Sequence, residues 1–164
     1  MERHNEEITM SNTITLREII QDDLPIFFEH QLDPEAAKMA AFPSREKETF
    51  MAHWAKIMAN ENVINRTILF NGQVAGNVAS FEMEGEREVC YWIGREFWGL
   101  GIASESLKQL LGQEVRRPLF AHVAKHNVAS RRVLEKCGFV VIREDKWKPD
   151  PNQDEVEEFI LTLK

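Results

Sequence analysis

The chain has 164 residues, 43% of them hydrophobic and 29% charged, with a formal net charge of −7. That length and balance describe a single domain with a real core, and the two cysteines, Cys90 and Cys137, exclude a disulfide framework and lack metal-ligand spacing. The acidic balance argues against a bulk nucleic-acid binder, no apolar run approaches a membrane span, and the polar start Met1-Glu2-Arg3-His4-Asn5-Glu6-Glu7 is no signal peptide, so a cytoplasmic protein is expected.

In chain order, residues 1–10 read as a polar, loosely ordered extension ahead of a short alternating strand at Ile14-Thr15-Leu16. Asp22-Asp23 before Leu24-Pro25 have the chemistry of a helix start, an acidic cap with proline in the first turn. His30-Gln31-Leu32-Asp33-Pro34 reads as exposed loop. Pro43-Ser44 opens a second helix, with Phe50, Met51, Trp54, Ile57 and Met58 at helical spacing. Ile64 to Phe70, the turn Asn71-Gly72, and Gln73 to Phe81 carry the strongest hairpin signal. Gly85 turns the chain into a further strand, Glu88 to Ile93.

After that strand comes Gly94-Arg95-Glu96-Phe97-Trp98-Gly99-Leu100-Gly101, which opens directly onto a helix from Ile102 to Leu111 with Ala103, Leu107, Leu110 and Leu111 on its buried face. A strand, a glycine turn and a helix start together aim unpaired backbone N–H groups and the positive end of a helix dipole at one spot, which suits a phosphate. The nucleotide-triphosphate loop is excluded because no Gly-Lys-Ser/Thr follows, and the dinucleotide fingerprint fails for want of a third glycine. A strand at Leu119 to Val123, a helix from Asn127 to Cys137 stopped by Gly138, and strands at Phe139 to Ile142 and Val156 to Leu163 complete the chain. Pro149-Asp150-Pro151-Asn152 supplies the last turn. Both cysteines read as small core residues.

The order β-α-α-β-β-β-α-β-α-β-β, with the glycine turn between the fourth strand and third helix, resembles the GCN5-related N-acetyltransferase (GNAT) superfamily. Two stretches carry the resemblance. Glu96-Phe97-Trp98-Gly99-Leu100-Gly101 stands where the family has Gln/Arg-x-x-Gly-x-Gly/Ala, with glutamate as a departure at the first position. Asn127-Val128-Ala129-Ser130-Arg131-Arg132-Val133-Leu134-Glu135-Lys136-Cys137-Gly138-Phe139, with Tyr91-Trp92-Ile93-Gly94, resembles the RimJ/RimL-like branch, which acetylates N-termini of ribosomal proteins. The resemblance covers nearly the whole chain. It implies a single N-acetyltransferase domain over residues 1–164, in an α/β fold. The sheet is expected to be mixed, mostly antiparallel and six- to seven-stranded, with about four helices, and splayed between strands 4 and 5.

It also implies acetyl-CoA as cofactor. Backbone N–H groups of Trp98, Gly99, Leu100, Gly101, Ile102, Ala103 and Ser104 are positioned to cradle the pyrophosphate, and main-chain groups of Trp92, Ile93 and Gly94 to pair with the pantetheine arm as an added strand. Glu96 is expected to point to solvent. Asn127 is a helix cap, a ligand to the pantetheine arm, or both; Arg132 meets the 3′-phosphate or only solvates its helix. Many superfamily members place a tyrosine acid where this chain has Leu134, so Ser130 is the substitute for protonating the departing thiolate, and Tyr91 reads as core. Glu88 and Glu82 are candidates for the base, Glu88 by parity on the face opposite Val89, Tyr91 and Ile93, and His122 and His126 flank the strand end before Asn127.

No metal is expected. The substrate pocket is implied at about Phe27 to Phe42 and Trp147 to Glu155. The acceptor is a protein N-terminus or a small-molecule amine, neither nucleic acid nor membrane is a partner, and a homodimer is left open. The alternative is an acyl-CoA-binding sensor or interaction domain without efficient turnover.

Overall fold

The computed structural model describes residues 12–164; the extension expected at residues 1–10 lies outside them. Seven strands form one sheet: β1 (Ile14–Glu18), β2 (Ile64–Phe70), β3 (Gln73–Met83), β4 (Glu86–Ile93), β5 (Leu119–Ala124), β6 (Val140–Trp147) and β7 (Val156–Leu163), in the order β1-β2-β3-β4-β5-β7-β6. Five α-helices accompany it: α1 (Leu24–Leu32), α2 (Pro34–Ala40), α3 (Lys47–Ala59), α4 (Ile102–Gln113) and α5 (Val128–Lys136). All neighbours pair antiparallel except β4 and β5, which run parallel.

The hairpins fall where the turn chemistry puts them, with Asn71 and Gly72 both at positive φ between β2 and β3. Three local expectations fail, each for a physical reason. His30 to Pro34 is not an exposed loop: His30 and Gln31 are buried in the last turn of α1, and Asp33, accepting from Glu35 N at 3.3 Å, caps a helix that starts on Pro34. The second long helix begins at Lys47 rather than Pro43-Ser44, because Gln31 draws that segment into a tertiary clasp. Its amide donates to Arg45 O (3.1 Å), its Oε1 accepts from Arg45 N (2.7 Å), and Ser44 Oγ donates to Gln31 O (2.7 Å). The strand expected to stop at Ile142 runs on to Trp147, since an edge strand paired only with β7 needs no apolar alternation.

Two cores hold the sheet. The larger joins Val89, Ile93, Leu119, Ala121, Val123 and Leu161 to Ile102, Leu107 and Leu110 of α4 and Leu134 of α5. The smaller gathers Leu24 and Phe27 of α1 with Phe50 and Trp54 of α3, beside Val74. Alternation sends Val89, Tyr91 and Ile93 toward the α4–α5 side and Glu88, Cys90 and Trp92 to the other face. That second face meets α1: a Cβ on Gly94 would come within 2.6 Å of His30 Nε2. Cys90 is exposed there, which corrects its reading as a core residue; Cys137 is half-buried against the larger core.

Buried charge ties the ends of elements to the sheet. Glu114, at the C-terminus of α4 and 1% exposed, accepts from Ser80 Oγ (2.7 Å), Arg87 Nε (3.0 Å) and Arg116 Nε (2.9 Å). Burial disfavours its ionised form, but these donors outweigh that and hold the carboxyl at about 2. Asp23 similarly takes Arg17 in a two-pronged pair (2.7 and 2.8 Å) and Thr67 Oγ1 (2.6 Å), fixing the start of α1 to β1 and β2.

Candidate active site

The site begins where β4 and β5 part. Their parallel pairing consists of Arg87 with Leu119 and Glu88 with Phe120. Beyond Glu88 and Phe120 the two strands diverge, and the opening leads to the glycine turn. Gly99 and Gly101 hold φ of +78° and +76°, and a Cβ on either would meet nothing within 4 Å. Backbone conformation, rather than crowding, therefore demands glycine here, and the space in front of the turn is open. Glu105 N closes the first helical bond on Gly101 O at 3.2 Å, so the N–H groups of Ile102, Ala103 and Ser104 stand ahead of it with the dipole behind them. Trp98, Leu100 and Glu96 are exposed around this mouth.

The three residues expected to present main-chain groups to a ligand do not contribute equally. Gly94 N donates to Ala75 O and Gly94 O accepts from Phe97 N, both at 2.8 Å, so Gly94 has no main-chain group to spare. The Trp92 carbonyl faces β3, lying 2.0 Å from where a Gly76 Cβ would stand. Alternation then turns the N–H and C=O of Ile93 and Tyr91 to the open edge. The Ile93 carbonyl is already taken, accepting from Trp98 Nε1 at 2.9 Å.

Across the opening, Asn127 caps α5 by accepting Ser130 N at 3.2 Å. Ser130 Oγ lies 2.6 Å from Tyr91 Oη. Tyr91, expected as core packing, thus brings its hydroxyl to Ser130. Burial pushes the phenol up to about 12 against the pull of the Ser130 hydrogen bond, so it carries its proton at neutral pH. Leu134 is 1% exposed in the core, and Arg132 is exposed on the outer face of α5.

On the other face, at the crotch of the opening, Glu88 is 3% exposed. His122 on β5 stands between it and β7, with Nε2 at 3.4 Å from Glu88 Oε2 and Nδ1 at 2.9 Å from Glu158 Oε2. The hydrogen bonds to Glu158 and then Glu88 outweigh desolvation and raise the imidazole to about 10, so it is an imidazolium at neutral pH between two carboxylates. Glu158 was not foreseen; the signal for it is its parity with Ile160, which pairs with His122. Glu82 is exposed and pairs with Arg87, one register step from Glu88, so alternation puts it on the face opposite Glu88. His126 instead accepts a structural task, its Nε2 at 2.9 Å from Lys38 O of α2.

The two segments expected to wall the acceptor pocket do meet: the Phe42 and Trp147 rings are 5.7 Å apart. Among the described residues no group of histidine, cysteine and acidic side chains is arranged to hold a metal ion, and no helix is long and apolar enough to cross a membrane.

A splayed β4–β5 pair with a glycine turn and helix N-terminus at its mouth is the arrangement that the sequence resemblance implies. The chain belongs to the Acetyltransferase (GNAT) domain family, whose match spans residues 13–140. It is 28% identical over 102 residues to the "Putative ribosomal N-acetyltransferase YdaF" of Bacillus subtilis (strain 168). That alignment covers 57% of this chain and 55% of the relative, so the chain matches about half the length of that protein.

Its fold is that of the RimL ribosomal L7/L12 alpha-N-protein acetyltransferase solved in complex with coenzyme A (TM-score 0.78, 20% identity, 95% of this chain and 96% of that one). It is equally that of spermidine N-acetyltransferase from Vibrio cholerae in complex with CoA and spermine (TM-score 0.78, 17% identity, 92% and 94%). The RimJ/RimL-like resemblance of the sequence thus meets a relative and a structure of that kind.

Proposed function

We propose that this chain transfers an acetyl group from acetyl-CoA directly to a primary amine, a protein N-terminus or a small-molecule amine. The observation that carries the reading is the open β4 edge ending at the glycine turn, where the N–H groups of Ile102, Ala103 and Ser104 precede the first helical bond of α4. These residues fit the cofactor: Gly99 to Ser104 would hold its pyrophosphate, the Ile93 and Tyr91 main chain its amide-bearing arm, and Asn127 the same arm from the far side. When bound, acetyl-CoA supplies the activated acyl group.

The chain's own residues handle protons. An ordinary lysine-like amine, with a pKa near 10.4, is only about one part in a thousand neutral at pH 7, whereas a protein N-terminus near 8 loses its proton readily. Glu88, buried and held by the His122 imidazolium, attracts the incoming ammonium and takes its proton at a carboxylate oxygen, directly or through one water. Ser130 Oγ, paired with Tyr91 Oη 2.6 Å away, donates a hydrogen bond to the departing sulfur, which leaves as the thiolate and takes its proton from water. The departing thiol has an ordinary pKa near 8.5, so a hydrogen bond is sufficient.

The test is thiol release with acetyl-CoA against Ser-, Ala- and Met-starting peptides, polyamines, aminoglycosides and amino acids, with acetyl-CoA binding titrated in parallel. Turnover on one class supports the enzyme reading and names the acceptor. Tight acetyl-CoA binding without turnover on any class transfers the case to an acyl-CoA sensor, and no binding overturns the reading.

A further inference from the structure

Four carboxylates are buried among the described residues, Asp23, Glu88, Glu114 and Glu158, and they fall into two kinds. Asp23 and Glu114 each gather several donors from separate elements and anchor them. Glu158 on β7 and Glu88 on β4 each have one side-chain partner among the described residues, and it is the same His122 ring.

That arrangement is a poor anchor. Glu158 stands directly opposite Asp145 in the β6–β7 register, and like charges so placed are destabilising. The Asp145 carboxylate accepts from Lys146 N at 2.8 Å and brings Glu158 no donor. Burying a charge beside another costs free energy that a single imidazole recovers only in part, so an apolar residue would serve the sheet better. The reason for Glu158 lies in what it does to His122.

His122 pairs with Ile160, which makes Glu158 its diagonal neighbour on the same face, within reach of a long side chain. His122 Nδ1 lies 2.9 Å from Glu158 Oε2, an ordinary hydrogen bond. Its Nε2 lies 3.4 Å from Glu88 Oε2, too long for a strong one. The ring is therefore anchored on Glu158 and only faces Glu88. A grip on one ring nitrogen sets the direction of the other. The bonds to Glu158 and then Glu88 raise the imidazole to about 10, so both nitrogens carry protons at neutral pH. Glu88 thus meets a cation at a fixed bearing while its oxygens stay open to an incoming ammonium.

We propose that Glu158 is a positioning residue: by accepting from His122 Nδ1 it aims Nε2–H at Glu88, where β4 and β5 part. This rests on the transferase reading, in which Glu88 takes the acceptor's proton, and adds to it a residue that acts through His122 rather than on the reacting atoms. β7 lies beyond β5, so the base on β4 is set from across the opening.

The experiment compares Glu158→Gln with Glu158→Ala in the whole protein, on an acceptor that the wild type acetylates, with kcat and acceptor KM separated and acetyl-CoA binding titrated. Glutamine keeps an oxygen that accepts from Nδ1, and alanine keeps none. Glu158→Leu repeats the alanine arm with the space filled, and a cooperative melt shows that each variant is folded. In the alanine and leucine variants kcat is expected to fall about 10- to 100-fold with acetyl-CoA affinity held, and in Glu158→Gln most of that loss is recovered. Nitrogen NMR of the His122 ring at pH 7 reads the same contact without turnover. The Nδ1 proton should be protected from exchange in wild type and Glu158→Gln, and unprotected in Glu158→Ala. Wild-type kcat in the alanine variant, equal losses in the glutamine and alanine variants, or an Nδ1 proton indifferent to residue 158 overturns the proposal. A wild type that acetylates no amine counts against the transferase reading alone, because the NMR comparison still decides whether Glu158 sets the ring.

Discussion

Glu88 and Glu158, both buried, flank the exposed His122 ring in a group whose balance depends on pH. The folded imidazole titrates at about 10, above its usual 6.5. A raised pKa contributes stability that is complete below about 6.5 and is lost as pH rises toward 10. In urea unfolding, wild type should therefore lose more stability than His122→Gln between pH 6.5 and 10, and the two should run parallel below that window. Glu88→Gln keeps shape and removes the proton acceptor; we expect kcat to fall about 10²- to 10⁴-fold with acetyl-CoA affinity retained, read by thiol release. The sequence exposes some of this group and hides the rest. Glu88 is legible by strand parity, and Ser130 by its distance from the capping Asn127. Tyr91 does pack against the larger core as its strand position suggests, but the partner of its hydroxyl comes from an element 39 residues on, and a hydroxyl pair across a sheet opening has no local signature.

At the scale of elements, turns and caps were the readable parts, because they depend on a few neighbouring residues. The β2–β3 hairpin and the start of α4 lie where Asn71-Gly72 and Gly101-Ile102 predict them. Even α2 had its signal, Asp33-Pro34-Glu35 being a cap, a first-turn proline and an acidic first turn, but a seven-residue helix gives too little periodicity to be seen. The length of β6 and the start of α3 were not legible, since pairing with β7 and the Gln31 clasp decide them. The glycine-turn element carries its own prediction. Trp98 Nε1 occupies the Ile93 carbonyl on the edge that a ligand would use. Trp98→Phe removes that competitor, and with a net hydrogen bond near 1 kcal/mol, acetyl-CoA should bind about fivefold more tightly by calorimetry. Weaker binding would mean that the indole packs on the ligand instead.

For the whole molecule, the legible part was the topology, including the separation of strands 4 and 5, while the polar anchors that brace it were invisible. The Glu114 cluster is one: the end of α4, β3, β4 and the loop before β5 meet on a carboxylate that the sequence presents as an ordinary glutamate after a helix. Glu114→Ala strands Arg87 in a buried place and should cost about 3–5 kcal/mol in denaturant unfolding. Its lowered pKa, about 2 against an ordinary 4.5, makes its contribution full above pH 4.5 and fading as pH falls toward 2, so the variant should lose less to acid than wild type does. The two-rung junction of β4 with β5 has a wider meaning. It divides the sheet into a four-strand and a three-strand half, as a zipper closed only at its base. A molecule lying along the gap would act as the missing teeth. Amides of Tyr91 and Ile93 should exchange with solvent freely until it arrives, and at a hundredfold excess over its dissociation constant the whole chain should gain about 2.7 kcal/mol and melt as one unit.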